Sequence, residues 1–96
     1  MFVGMARYDF LVPGSTSLKD KRKVVKHLVG ATASRFHVSI AEVDHQDLRQ
    51  RGAIGVACVS NSPSHVQKML DEITRFMDGE YRIEVVDRQS EVVGFE

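Results

Sequence analysis

The sequence has little of what disulfide frameworks and structural metal sites need. Its 96 residues include one cysteine, two prolines and no tryptophan. Cys58 has no partner for an internal disulfide, and it lies in an apolar run where a buried thiol is expected. One cysteine beside four histidines gives no zinc-site spacing. We therefore predict no metal site and no cofactor.

Long apolar runs are also missing. No segment approaches the roughly 18 apolar residues that a membrane span needs. The N-terminus lacks a basic region followed by an apolar block and a small-residue cleavage site. These absences lead us to expect a cytoplasmic protein without a membrane partner.

The formal net charge of zero hides an uneven distribution. Residues 1–35 contain seven lysines or arginines and two acids, whereas residues 36–96 contain six basic and eleven acidic side chains. Salt largely screens exposed charges that lie more than about 8–10 Å apart. A neutral protein can therefore still carry a local positive potential.

Six segments with strand or helix patterns follow one another, separated by short turns. The predicted elements are a strand over 2–12, a helix from the Ser17 cap to about Ser34, strands over 37–45 and 52–60, a helix from Pro63 to Asp78, and a strand over 80–88. In the last strand, Tyr81, Ile83 and Val85 are expected on one side. The tail 91–96 is compatible with a continuing edge strand.

The order β-α-β-β-α-β predicts an α+β, ferredoxin-like sandwich. Four antiparallel strands form its sheet, and both helices lie on one face. We expect a single domain over 1–96. The other sheet face and the edge strands stay uncovered, and a homo-oligomer is an obvious way to cover them.

The stretch "SLKDKRKVVKH" contains five lysines or arginines and one aspartate. A helical wheel places Leu18 and Val25 toward the sheet and the lysines of the far side toward solvent. A solvated face is the ordinary interpretation of such a run, but acids are almost absent here. The preceding loop adds hydroxyls and backbone N–H groups at a helix N-terminus, a favourable place for an anion. The candidate anion- or RNA-binding residues are Lys19, Arg22, Lys23, Lys26, Ser15 and Ser17.

Lys21 differs from these cations because the wheel turns it inward, between Leu18 and Val25. Glu42 shares the strand alternation of Val38 and Ile40, so it also points toward the helices. We predict an ion pair between Lys21 and Glu42 at one end of the sandwich, since charged residues are rarely buried alone. The alternative is a lysine stem that reaches out to water.

Asp44, His45 and Asp47 lie close together at the end of the third segment. Strand alternation sends Glu42 and Asp44 to one face and His45 to the other, which gives little support to a metal site or a general base. We interpret these residues as a polar hairpin end that forms part of an interface. No Ser-His-Asp arrangement, Gly-rich phosphate loop or HExxH motif occurs, so we predict no enzymatic activity. A small enzyme built around His45 and Asp47 is the weaker alternative.

RNA-recognition modules share this order of elements and read bases with aromatic side chains on their two central strands. The segment 52–60 contains no aromatic residue. Any RNA contact should therefore be electrostatic, made by the first helix, and poorly sequence-selective. We expect no DNA specificity.

Two blocks of the sequence resemble the small bacterial YlxP-like family, also described as domain of unknown function 503. The first block runs from Ser17 to Arg22. The second includes Arg35-Phe36 and the run from Ser39 through Gln46-Asp47 to Gly55. The family typically has tryptophan where this chain has Arg49. The resemblance implies a ferredoxin-like fold and a gene commonly near those of translation initiation and ribosome maturation factors, and it implies no established activity.

Two functional hypotheses follow. The first is a non-enzymatic RNA-binding protein that associates with ribosomal RNA or a ribosomal particle through its basic first helix. The second is a homo-oligomeric regulatory or assembly module with a ligand or partner site at the subunit seam.

Overall fold

The computed structural model describes the whole chain, Met1–Glu96. Its elements are β1 (Phe2–Leu11), α1 (Leu18–Phe36), β2 (Ser39–Asp44), β3 (Arg51–Ser60), α2 (Pro63–Asp78) and β4 (Glu84–Gly94). The strands form one sheet in the order β2-β3-β1-β4, and all neighbouring pairs are antiparallel. The predicted ferredoxin-like α+β layout is confirmed.

The core lies between one face of the sheet and the two helices. Alternate β1 residues, Ala6, Tyr8 and Phe10, point into it because successive strand side chains point to opposite faces. The Tyr8 hydroxyl is paired with Thr74 Oγ1 of α2 at 2.8 Å. Helical side chains complete the core, chiefly Val25, Leu28, Val66, Leu70, Ile73 and Met77.

The first helix begins at the cap that the sequence predicts, and the second begins at the predicted Pro63. Ser17 accepts a hydrogen bond from the Asp20 amide at 3.1 Å, and Ser62 accepts one from the His65 amide at 3.3 Å. The C-terminus of α1 lies at Phe36, two residues beyond the predicted end. His37 caps it in the left-handed region, at φ 51°, and its N–H donates to Ala33 O. Because His37 has this conformation, β2 starts at Ser39.

The prediction for the last strand is wrong at its start, whereas the continuation of the tail as an edge strand is confirmed as far as Gly94. We expected a strand over 80–88, but β4 starts at Glu84 and continues to Gly94. Residues 79–83 instead form a turn, in which Glu80 N donates to Met77 O and Ile83 N donates to Glu80 O. The ring of Tyr81 is therefore not aligned with Val85 on a strand. It is 90% exposed.

The second sheet face is covered by neither helix. Its apolar residues include Met5 of β1, Val43 of β2 and Val59 of β3, all exposed. No aromatic side chain of a strand lies on this face, because Phe2, Tyr8 and Phe10 all belong to the helix side. Neither α1 nor α2 combines the length and the apolar character that crossing a membrane would take.

Candidate functional site

Four cations share the outer side of the N-terminal half of α1. We call this set the α1 basic face: Lys19, Arg22, Lys23 and Lys26. All four side chains are exposed, and none has a carboxylate within 4.0 Å. The inward positions of the same turns, Val25 and Leu28, are buried against the sheet. The cations are thus held on the surface by the packing of the opposite side of the helix.

Asp20 is the only acid among these turns, and its carboxylate is used within the chain. It accepts hydrogen bonds from Thr16 N at 3.1 Å and Thr16 Oγ1 at 2.6 Å. These hydrogen bonds, with a smaller contribution from Lys23, lower the pKa of Asp20. Asp20 therefore closes the N-terminus of the helix and forms no ion pair with the α1 basic face.

The Ser15 side chain is not available to an anion, which corrects part of the predicted site. Ser15 is only 2% exposed, its N–H donates to Val12 O, and its hydroxyl donates to Ser17 O at 2.9 Å. The Ser17 hydroxyl serves as the helix cap. The hydroxyls thus stabilise the turn, while the neighbouring Asp20 carboxylate disfavours an anion there.

Lys21 is completely buried, and its ammonium group has four oxygen partners. Nζ lies 3.0 Å from Glu42 Oε2, so the predicted approach of Lys21 and Glu42 is present in the structure and the exposed-stem alternative is wrong. Three backbone carbonyls complete the set: His45 O at 2.8 Å, Gln46 O at 3.2 Å and Arg51 O at 3.3 Å. An ammonium group has only three protons to donate, so these oxygens share them. Lys21 thereby ties α1 to both ends of the β2–β3 loop.

The predicted alternation at the hairpin end is wrong. A bulge between Glu42 and Asp44 shifts the register of β2 against β3. Glu42 stays on the helix side, whereas Asp44 reaches Arg7 on the uncovered face. His45 has a positive φ of 61° and lies beside Asp44, so these two residues share a face. Asp47 is exposed and makes no side-chain hydrogen bond.

Arg7, Asp9, Asp44 and His45 form an ionic cluster at this end of the uncovered face. Arg7 donates to both carboxylate oxygens of Asp9, at 2.9 and 3.1 Å, and to Asp44 Oδ2 at 3.1 Å. His45 Nε2 lies 3.5 Å from Asp9 Oδ1. Hydrogen bonding to Arg7 lowers the pKa of Asp9, and the hydrogen bond from the His45 amide together with Arg7 lowers that of Asp44. The two carboxylates raise the pKa of Arg7.

Sequence reasoning did not single out Arg7 and Asp9. The only local signal for a contact between them was their two-residue spacing, which places both side chains on the same face of a strand. The partners that complete the cluster, Asp44 and His45, lie at the end of β2 and directly after it, and their placement depends on the bulge. No group of three or more His, Cys, Asp and Glu side chains is arranged to hold a metal ion.

The uncovered face also contains a shallow groove of about 620 Å³. Small residues of the inner strand, Gly55 and Ala57, form part of its lining, with Met5 and Val43 beside them. Glu91 of β4 also lines this groove. The groove lies on the side of the sheet opposite α1, so it is separate from the α1 basic face.

Comparison with known proteins places the chain in a family. The profile of the family described as "Protein of unknown function (DUF503)" matches residues 3–90. The chain is also similar to a protein of Bacillus subtilis (strain 168) described as "Uncharacterized protein YlxP", with 35% identity over 82 residues. That match covers 85% of this chain and 89% of the relative. The chain belongs to the DUF503 family, as its YlxP-like sequence pattern predicts.

Proposed function

We propose that the protein is a non-enzymatic RNA-binding protein that associates with ribosomal RNA or a ribosomal particle through the α1 basic face. The observation that carries the proposal is the cluster of four exposed cations within two helical turns, without a carboxylate partner. At 1.5 Å of rise per residue, Lys19 to Lys26 covers about 10 Å of helix axis. A row of cations of this length fits several consecutive phosphates of one strand.

The second helix provides an internal contrast. Its exposed face mixes Lys68 and Arg75 with acidic residues, among them Asp71 and Asp78. A mixed face of this kind is solvated and has little net potential. The α1 basic face has no such interleaving, because the carboxylate of Asp20 faces Thr16.

RNA suits this surface better than a small anion. The cations lie on the outer side of a helix and not around a cavity, so each contacts a separate charge of an extended ligand. The uncovered sheet face lacks the aromatic side chains that RNA-recognition modules use. The ribosomal partner is supported by the gene neighbourhood that the YlxP-like resemblance implies.

The test is co-sedimentation with ribosomal particles at low salt. The wild-type chain should co-sediment, and the triple variant K19E/K23E/K26E should stay in the supernatant. With single-stranded RNA, affinity should fall with salt at a logarithmic slope of roughly −0.7 per phosphate contacted. A folded triple variant that sediments like the wild type would eliminate the proposal.

A matched pair of double variants separates a specific surface from a general charge effect. K19E/K23E and K68E/R75E change the net charge by the same amount, the first on α1 and the second on α2. We expect the α1 variant to lose most of its binding and the α2 variant to keep it. Equal losses in both would show a non-specific effect of net charge.

The uncovered sheet face favours a second candidate, a homo-oligomeric module. Met5 and Val43 line the groove there, and Val59 of the same face is also exposed. A second copy of the chain on this face would bury these side chains. Light scattering tests this candidate: a dimer that dissociates when Val59 is changed to Lys supports it, and a monomer at all accessible concentrations removes it.

A further inference from the structure

The turn between α2 and β4 presents an aromatic ring that the fold does not use. Tyr81 is 90% exposed, more than any other large apolar side chain of the protein. Its neighbour Ile83 is buried, so the turn is fixed to the core while the ring stands in water.

The backbone of this turn is held by a local ion pair. Arg82 Nε lies 2.8 Å from Glu80 Oε1, its Nη2 lies 3.2 Å from Glu80 Oε2, and the Arg82 amide donates to the same carboxylate at 3.2 Å. The Arg82 guanidinium carbon is 5.6 Å from the centre of the Tyr81 ring. A cation at this distance interacts with the ring and restrains it. The high exposure of Tyr81 shows that the ring still has free surface for a ligand.

The ring lies across a depression from the N-terminal turns of α1. Tyr81 and Arg82 line one depression of about 370 Å³ together with Asp20 and Val24 of α1. Lys23 is adjacent to Val24 in the helix, and its charge acts on Asp20. The aromatic ring therefore lies beside the same helical turns that carry the row of cations.

We propose that Tyr81 is a stacking platform for a base of single-stranded RNA whose phosphates lie along the α1 basic face. This inference rests on the proposed RNA-binding function and adds a preference for unpaired bases. Single-stranded nucleic acids are bound by combining a positive track for the backbone with aromatic rings for the bases. Tyr81 supplies the ring that the sheet of this protein lacks, and Arg82 lies over it as a cationic neighbour.

Phe95 provides a matched control. It is also an exposed aromatic residue, at 62%, but it follows the end of β4 that pairs with the start of β1. Tyr81 precedes the other end of β4, where Glu84 pairs with Leu11. Ten residues of β1 separate these ends by about 30 Å. Phe95 is thus too far from Tyr81 to serve the same bound base.

The experiment measures the anisotropy of a fluorescein-labelled, mixed-sequence RNA of about 12 nucleotides, single-stranded or annealed to its complement. Loss of one stacked base should weaken binding about fivefold or more. Y81A should show this loss toward the single strand with an unchanged salt slope, whereas Y81F and F95A should stay within about twofold of the wild type. The preference of the wild type for the single strand should disappear in Y81A.

Intrinsic fluorescence gives a second readout, because the protein has two tyrosines and no tryptophan. Tyr8 is buried, so RNA that stacks on Tyr81 should quench the exposed component of the emission. Y81F should lose this quenching while it keeps the affinity.

The outcomes separate the two proposals. If the wild-type chain binds the RNA, the K19E/K23E variant does not, and Y81A binds it as tightly as the wild type, the role of Tyr81 alone is overturned. Equal binding of the single strand and the duplex by the wild type overturns it as well. A wild-type chain that binds neither form at low salt overturns the proposed function, and the role of Tyr81 with it.

Discussion

Replacing Lys21 by methionine tests how the fold holds its β2–β3 loop. The substitution keeps a long apolar stem and removes the ammonium group that contacts Glu42, His45 O, Gln46 O and Arg51 O. Removing one partner of a buried ion pair costs about 3–5 kcal/mol. The side chain of Glu42 is 20% exposed, so water can partly solvate the carboxylate that is left behind. We therefore expect the lower end, a loss of about 3 kcal/mol in the free energy of unfolding.

The measurements are urea unfolding and thermal unfolding, both followed by far-UV circular dichroism. For a domain of this size, about 3 kcal/mol corresponds to a fall of Tm by roughly 12–24 °C. Lys68→Met on the exposed face of α2 is the control and should stay within about 0.5 kcal/mol of the wild type. The double variant K21M/E42Q should be less destabilised than K21M, because it leaves no unpaired carboxylate. A K21M protein within about 1 kcal/mol of the wild type would refute the reasoning.

Two further predictions concern packing and pH. Gly4→Ala should destabilise the protein by about 1–3 kcal/mol, because its Cβ would overlap Val66 Cγ1 of α2. Gly30→Ala in α1 should stabilise it by about 0.5–1 kcal/mol, because the space around its Cβ is open. Equal effects of the two substitutions in thermal unfolding would contradict this prediction. Arg7 holds the pKa of Asp9 in the folded protein below its ordinary value. The Asp9 carboxylate therefore contributes stability that is fully present above the unfolded pKa of about 4. This stability is lost as the pH falls through the folded pKa. Asp9→Asn should therefore reduce the loss of stability on acidification from about pH 5 to pH 2, and an unchanged pH profile would show that the Arg7 contact is not formed in solution.

Local patterns were sufficient for the element order, for the cap at Ser17, for the start of α2 at Pro63, and for the approach of Lys21 to Glu42. The helical wheel turned Lys21 inward, and strand alternation turned Glu42 toward the helices. Each signal depends on a few neighbouring residues. The prediction succeeded because both elements are regular at these positions.

Errors occurred where a specific side-chain contact, and not the period of the element, decides the geometry. The β2 bulge sends Asp44 to Arg7, which lies 37 positions earlier in the sequence. The turn at 79–83 is closed by Glu80 and Arg82, and it removes Tyr81 from the alternation of Ile83 and Val85. No period of two or 3.6 residues contains that information.

The candidate site was predictable only where it depends on the regular period of an element. Exposure of Lys19, Arg22, Lys23 and Lys26 follows from the amphipathic period of α1. The loss of Ser15 from the site does not, because it depends on a turn in which Ser15 donates hydrogen bonds to Val12 O and to Ser17 O.

Crosslinking in living cells tests the central claim most directly. Cells that produce the tagged wild-type chain or the K19E/K23E/K26E variant are irradiated with ultraviolet light, and RNA is recovered from the purified protein under denaturing conditions. We predict that ribosomal RNA is recovered with the wild-type chain and falls to background with the variant, with crosslinked peptides from α1 and from the turn at 79–83. Recovery of no RNA from a folded, normally expressed wild-type chain would contradict the account.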